Sequence, residues 1–271
     1  MNIGRKDVAW SYLSLLMVQG INIILLPVIV RYLNTIELGL WYTFTSLYGL
    51  AMLIDFGFQT IISRNVSYLW SGAQSIKSKG YELATSKDSQ MNIPYFARVL
   101  STVRFIYTSM GTIIFLLFST FGTWYMFSIN DNQIDIKIML IAWVFYMLSI
   151  VLNISYSYWN SILKGIGAIK TYNQILVVTK LTQLILSIIL LILGFGLIGV
   201  SVAYFISVIV NRLMQSISYY NYSNETKKTK HQLKVKYDKE IFGAIIPNTL
   251  RTGSISCLLY TSPSPRDKRQ Y

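Results

Sequence analysis

The chain has 271 residues, of which 53% are hydrophobic and only 13% are charged. A soluble domain has about 25% charged residues, so the composition excludes a globular protein with a fully hydrated surface. The net charge of +13 first suggests a nucleic-acid partner. However, the basic residues fall between apolar runs rather than on one face, which is typical of the loops of membrane proteins. With a single cysteine, neither an internal disulfide nor a cysteine-rich metal site can form.

Apolar runs predict transmembrane helices, since about 20 residues cross the hydrocarbon core of a membrane. The first run extends from about Trp10 to Tyr32, which is too long for the apolar part of a signal peptide, and Pro27 within it predicts a kink. A later apolar segment opens at Ile241, contains Pro247 and then stops. The other predicted helices cover about 38–62, 95–118, 136–163, 171–193 and 197–220.

The links between these helices differ in charge. The links rich in Lys and Arg are 1–6, 64–94, 164–170 and 221–240. They alternate with links that have no Lys or Arg, at 33–37, 119–135 and 194–196. Since Lys and Arg accumulate in cytoplasmic loops, we expect the N-terminus and the basic links to lie in the cytoplasm.

The character of the chain changes at Cys257. Residues 257–267, CLLYTSPSPRD, resemble an in-frame translation of a sequencing adapter. We therefore expect 257–271 to be a non-native tail that cuts the seventh helix in its middle. The alternative is a natural polar C-terminus, but it would leave an apolar segment of roughly 15 residues, too short to cross a membrane.

Six charged side chains lie in the predicted helices or at their ends. A charge at the centre of a membrane helix costs about 2.5–3.5 kcal/mol, so such residues normally face the protein interior or a cavity. Arg104, Lys180 and Arg212 could together line a positive cavity, in which the guanidinium groups would suit a phosphate. The remaining three candidates, with structural or ion-coupling roles, are Arg31, Asp55 and Arg64.

Simpler explanations exist for the same residues. Arg31, Arg64 and Arg212 lie near helix ends, where a long side chain can reach lipid headgroups. For Arg104 and Lys180, both a position in a cavity and a simpler structural role stay open. Asp55 could pair with Arg64, cap the end of its helix or bind a coupling ion. Four polar residues are expected to form hydrogen bonds between helices: Gln19, Asn22, Asn153 and Gln183.

No catalytic constellation is recognisable in the sequence. There is no Ser/His/Asp set, no metal-spaced cluster of His and Cys, and no pair of acids in a common predicted cleft. We therefore expect no catalytic residues, no metal and no cofactor, and we predict that the chain is not an enzyme.

Five motifs carry a family resemblance: LLPVIVRYLN at 25–34, ELGLWYTFTSLYGL at 37–50, LIDFGFQTIISRNVS at 53–67, GLIGVSVAYFISVIVNRL at 196–213 and EIFGAIIP at 240–247. In these motifs, and in their order and spacing, the chain resembles the Wzx-type polysaccharide or O-antigen flippases. These belong to the multidrug/oligosaccharidyl-lipid/polysaccharide exporter superfamily. The resemblance covers about residues 5–250.

The resemblance implies an all-α integral membrane fold of twelve or more helices, arranged as two six-helix lobes around a central cavity. The chain would hold the N-terminal lobe at 1–220, a basic cytoplasmic linker at 221–240, the start of the seventh helix at 241–256 and the tail at 257–271. The family carries polyprenyl-pyrophosphate-linked oligosaccharides across the bacterial inner membrane by alternating access, for lipopolysaccharide and other surface polysaccharides. A single lobe is expected to be inactive alone.

The expected partners are membrane lipid and a lipid-linked oligosaccharide, and no nucleic acid; the glycan, a coupling ion and the oligomeric state stay open. A cation-coupled multidrug antiporter of the same superfamily is an alternative, favoured by an acidic residue deep in the first helix, where the sequence has none. A membrane polymerase or glycosyltransferase would need a long outer loop or an acidic catalytic loop, and the sequence has neither. A scaffold that transports nothing is a further alternative.

Overall fold

The computed structural model describes residues 5–76, 81–82, 91–130, 134–232 and 237–261, and nearly all of them are helical. Two short strands, β1 (Ser75–Ile76) and β2 (Tyr81–Glu82), pair antiparallel. The helices are α1 Arg5–Tyr32, α2 Thr35–Met52, α3 Phe58–Trp70, α4 Ile93–Leu117, α5 Thr123–Asn130, α6 Ile136–Ser155, α7 Tyr158–Gly165, α8 Ile169–Ile192, α9 Gly196–Tyr220, α10 Asn224–Gln232 and α11 Lys239–Thr261.

Several of these helices can cross a membrane. Among the described residues, five segments are long and apolar enough to do so alone: Val8–Tyr32, Ile93–Asn130, Ile136–Gly165, Ile169–Ile192 and Gly196–Tyr220. A sixth span results if Thr35–Asp55 and Phe58–Trp70, which are bent by 45° relative to each other, count as one. The predicted all-α membrane fold is confirmed, and the chain is a multi-pass membrane protein.

The second predicted helix is broken, so the prediction of one continuous helix over 38–62 is wrong. A 3₁₀ turn at Leu53–Asp55 separates α2 from α3. Gly57, directly before α3, has a φ of 88°. This left-handed conformation carries a steric penalty for residues with a Cβ atom and none for glycine, which explains how the chain changes direction here.

The polar loop predicted over 64–94 begins later than expected, because α3 continues to Trp70 and includes Arg64. Apolar side chains keep helical spacing through this stretch and are buried at Ile61, Ile62, Val66 and Leu69. The helix packs tightly against α7: a Cβ atom on Gly165 would lie 2.5 Å from Cγ1 of Val66. Glycine at 165 therefore permits the close approach of α3 and α7.

The third predicted helix is longer than expected, since α4 continues through a π-helical segment, Phe118–Gly122, into α5. Most of the predicted link at 119–135, with its aromatic group, is therefore helical. Trp143 of α6 packs at this π-helical segment, where its indole Nε1 donates a hydrogen bond to Thr123 Oγ1 at 3.1 Å. The fourth predicted helix, 136–163, is interrupted between α6 and α7.

The predicted linker at 221–240 contains α10, and α11 follows it. Asp238, just before α11, pairs with Arg98 of α4 at 3.3 Å. Further along, α11 passes the break between α2 and α3, because a Cβ atom on Gly57 would lie 3.3 Å from the backbone nitrogen of Gly253. This helix has 23 residues and includes Pro247, but it is not among the candidate spans. It continues to Thr261, and the rest of the predicted tail lies outside the described residues.

The bundle is organised around α8 and α9, which pack against each other, while α1 covers α8 and α6 covers α9. At one end, the link between α1 and α2 is fixed by a capping box, in which Asn34 and Glu37 satisfy each other's backbone N–H groups. The Glu37 carboxylate also accepts a hydrogen bond from the backbone nitrogen of Leu197, at 3.4 Å. One acidic side chain thus joins the start of α2 to the start of α9.

Candidate functional site

A polar cavity of about 290 Å³ lies among α2, α3, α6, α7, α8 and α9. We call it the cationic chamber, because Lys180 and Arg212 both line it. Among the described residues no carboxylate lines it. Its polar wall includes Asn153, Ser157, Asn160, Gln183, Ser207 and Asn211.

Arg212 of α9 is only 9% exposed and is surrounded by neutral acceptors. Its Nη1 donates to Oδ1 of Asn160 at 3.2 Å and to Oε1 of Gln215 at 2.9 Å. Its Nη2 donates to the backbone oxygen of Asn153 at 2.9 Å and also to the Oδ1 of that residue. Its Nε is buried and has no hydrogen-bond partner among the described residues. The guanidinium group is therefore held firmly, with one donor left over.

Lys180 of α8 is half-buried and has fewer contacts. Its Nζ donates to Oε1 of Gln183 at 3.0 Å. Within the described ranges, no carboxylate lies within 4.0 Å of Lys180 or of Arg212. The ion pair found in these ranges joins Arg98 and Asp238, outside the chamber. The chamber thus holds two positive charges that no acidic side chain of the described residues compensates.

A second cavity, of about 280 Å³, adjoins the first. The two share four wall residues: Tyr48, Lys180, Gln183 and Tyr204. We call the second cavity the aromatic chamber, because most of its remaining wall consists of rings and apolar side chains from α1, α2 and α6. These include Trp41, Tyr42 and Tyr146, with Asn22, Leu26 and Thr45 beside them. Lys180 therefore lies at the boundary between the two chambers.

Arg104 lies apart from Lys180, although it shares a cavity with Arg212. It is exposed on α4 and lines a different cavity of about 350 Å³, together with Tyr156, Trp159 and one side of Arg212. It lines neither the cationic nor the aromatic chamber. The structure therefore brings Lys180 and Arg212 together but leaves Arg104 outside their cavity.

The three remaining charged candidates are at the edge of the bundle or at the break. Arg31 and Arg64 are exposed, as expected of side chains that reach lipid headgroups. Asp55 lies in the 3₁₀ turn, where its carboxylate accepts hydrogen bonds from Tyr107 Oη at 2.9 Å and from Gln59 Nε2 at 3.3 Å. In the described part of the chain Asp55 makes no ion pair with Arg64.

A chain of hydrogen bonds joins Asp55 to Arg212. From Gln59, the Nε2 atom also donates to Ser157 Oγ at 3.0 Å. That hydroxyl accepts a second hydrogen bond, from Asn160 Nδ2 at 3.3 Å, and Asn160 in turn accepts from Arg212. The break between α2 and α3 is therefore connected to the cationic chamber through neutral side chains.

Part of this network could be foreseen from the sequence. Asn153 is an interhelical partner as predicted, because its Nδ2 donates to Tyr48 Oη at 3.1 Å and its oxygen atoms accept from Arg212. Asn160 and Gln215 were missed. In the continuous helix predicted over 136–163, Asn160 follows Asn153 by seven residues and so lies on the same face, which is the signal that could have found it.

Comparison with protein-family models, with curated proteins and with solved structures found no match. In the described ranges, no three His, Cys, Asp or Glu side chains come together to hold a metal ion. The groups that this site offers a ligand are therefore two cations, several amides and a set of aromatic rings.

Proposed function

We propose that this chain belongs to a transporter that moves a pyrophosphate-linked oligosaccharide lipid across the bacterial inner membrane for the synthesis of surface polysaccharide. In this proposal the chain is not an enzyme, and Lys180 and Arg212 bind the anionic headgroup. The observation that carries the proposal is the pair of cations in the cationic chamber, which no carboxylate compensates among the described residues.

The energetics favour an anionic ligand. Each charge inside a membrane costs about 2.5–3.5 kcal/mol, and ionisable residues in such positions usually mark a substrate or ion pathway. A diphosphate offers several oxygen acceptors. Hydrogen bonds to charged groups contribute about 1.5–3 kcal/mol each, so such a ligand offsets much of the cost. Lys180 retains two donors for it beyond its bond to Gln183. Arg212 contributes its positive charge, because its Nη atoms are engaged and its unpartnered Nε is buried.

Two sequence features agree with this proposal. The motifs from 25 to 67 and from 196 to 247 resemble those of the oligosaccharide-lipid flippases. The alternation of basic and uncharged links supports an N-terminus in the cytoplasm. A cation-coupled antiporter fits less well, because no described carboxylate lines either chamber.

The proposal is tested by lipid binding to the purified chain in nanodiscs. Farnesyl diphosphate should bind more tightly than farnesol, and Lys180→Gln should weaken its binding at least tenfold, or about 1.4 kcal/mol. Lys170→Gln is the matched control, since Lys170 is exposed near the start of the same helix. Equal affinity of the wild type for the two lipids would overturn the proposed anion site.

A cellular test separates the cations from one another. The complete gene that includes this sequence is expressed in a strain that lacks its own oligosaccharide-lipid flippase, and surface polysaccharide is measured. Lys180→Gln should abolish rescue at normal membrane levels of the protein, whereas Arg104→Gln should retain it, because Arg104 lies outside both chambers. The reverse result would place the headgroup near Arg104.

A further inference from the structure

The aromatic chamber has a wall of rings that pack against each other. Trp41 and Tyr146 meet edge to face, with centroids 5.4 Å apart, and Tyr146 stacks on Tyr204 at 5.1 Å. Tyr48 meets Tyr204 edge to face at 6.2 Å. Since the rings come from α2, α6 and α9 and hold each other in place, they fix this wall of the chamber, in which Tyr42, at 46% exposed, has the most accessible ring.

Polar groups with spare hydrogen-bonding capacity lie beside this surface. Gln183 is buried and uses its Oε1 to accept from Lys180, which leaves its Nε2 without a partner among the described residues. Asn22, on α1, also lines the chamber, and in the described part of the chain its amide makes no hydrogen bond. Thr45 and four tyrosines lie in the same wall.

This combination suits a neutral sugar ring. The C–H groups of a pyranose carry partial positive charge and pack on the negative faces of aromatic rings. The hydroxyl groups of the sugar both donate and accept hydrogen bonds, as the amides of Asn22 and Gln183 do. The cavity of about 280 Å³ is at the small end of ligand pockets, so it holds a short unit rather than a long glycan.

The position of Lys180 at the boundary then fixes the direction of the ligand. We propose that the aromatic chamber binds the first sugar of a glycosyl diphosphate whose phosphates lie against Lys180 and Arg212. This assignment rests on the proposed function and adds a carbohydrate subsite to it. The chamber selects for a sugar next to the phosphate, while the cationic chamber binds the phosphates whatever they carry.

The experiment compares ligands that differ only in the sugar. Farnesyl diphosphate is measured against glucosyl, galactosyl and N-acetylglucosaminyl diphosphoryl farnesol on the purified chain in nanodiscs. At least one glycosylated lipid should bind about tenfold more tightly than farnesyl diphosphate. In Trp41→Leu this preference should fall to about twofold or less, while the affinity for farnesyl diphosphate stays within about twofold of wild type.

Two further variants guard against a folding effect. Asn22→Ala changes an exposed side chain on the chamber wall and should also reduce the preference for the glycosylated lipid. Trp124→Leu is the matched control, since Trp124 is 68% exposed and lies outside the chamber. It should leave the preference unchanged.

The outcomes distinguish the two proposals. If all the diphosphate lipids bind with equal affinity, the carbohydrate subsite is refuted and the anion site stands. If none of them binds, the anion site is refuted and the subsite with it. If a glycosylated lipid is preferred equally by the wild type and by both chamber variants, its sugar binds elsewhere and the assignment is overturned.

Discussion

The cationic chamber and the aromatic chamber share four wall residues, but they are held together by different forces. Around Arg212, side chains from α6, α7 and α9 are joined by hydrogen bonds. Around Tyr146, the wall is held by ring packing. Hydrogen bonds are directional, so the first chamber fixes individual atoms, whereas packing fixes shape. Lys180 belongs to both chambers and is fixed firmly by neither.

The first prediction breaks the hydrogen-bonded chamber. Arg212→Met keeps an unbranched apolar stem but leaves acceptors on Asn153 and Gln215 without their donor. An unsatisfied buried acceptor costs about 1–3 kcal/mol, so we expect a loss of about 2–4 kcal/mol in the free energy of unfolding. Unfolding in detergent by SDS titration measures it. Arg31→Met, at an exposed site, is the control and should change the stability by less than about 0.5 kcal/mol.

The second prediction moves a wall of the same chamber. In Gly165→Ala the new Cβ atom would lie 2.5 Å from Val66 Cγ1 and 2.7 Å from the backbone oxygen of Ser63. Overpacking of this kind costs about 1–3 kcal/mol, which thermal unfolding in nanodiscs would detect. Gly20→Ala has no atom within 4 Å to meet and should be neutral or slightly stabilising. Equal stability of the two variants would mean that α3 and α7 are not in close contact.

The third prediction concerns the end of the bundle beyond the aromatic chamber. Asn34→Ala removes the side chain that accepts from the backbone nitrogens of Ile36 and Glu37. Loss of such a cap costs about 1 kcal/mol, and hydrogen exchange should rise at the first turn of α2. Thr35→Ala, one residue along, removes no hydrogen bond shown in the structure. A similar rise in exchange for both variants would argue against the capping box.

The fourth prediction has the smallest expected effect on stability and concerns Lys180, which lines both chambers. Lys180→Gln should leave the free energy of unfolding unchanged or raise it by up to about 1 kcal/mol, because it removes a half-buried charge that has no acidic partner among the described residues. Thermal unfolding without added lipid tests this. A clear loss of stability would show that Lys180 has a structural role, and would weaken its assignment to ligand binding.

The sequence predicts the number of membrane spans well, but it does not predict where the helices within a span are broken. Apolar runs of sufficient length identify the spans because lipid leaves little choice but a helix. The break after Asp55 has no such signature, since the residues on both sides are apolar. Gly57 marks it in hindsight, because only its positive φ reveals that the glycine turns the chain. The π-helical segment before Thr123 depends on the packing of Trp143, which no local pattern contains.

The sequence identifies the charged residues of the candidate site, but it does not show which of them line the same cavity. Charge inside apolar runs singled out Arg104, Lys180 and Arg212, and two of the three line one cavity. Which helix face each occupies depends on the rotation of α4, α8 and α9 about their axes, and the uncertainty of helix ends makes this rotation ambiguous. The neutral partners of Arg212 are harder still, because Asn160 and Gln215 resemble any polar residue near a helix end.

The close approach of Gly57 to Gly253 has a mechanical consequence. The bend between α2 and α3 contacts α11 at Gly253, where a Cβ atom would lie 2.3 Å from the ring of Phe56. A straightening of α2 and α3 would therefore displace α11 through this contact. Because Asp55 lies in this bend, any such motion would also pull on the hydrogen-bond chain that ends at Arg212.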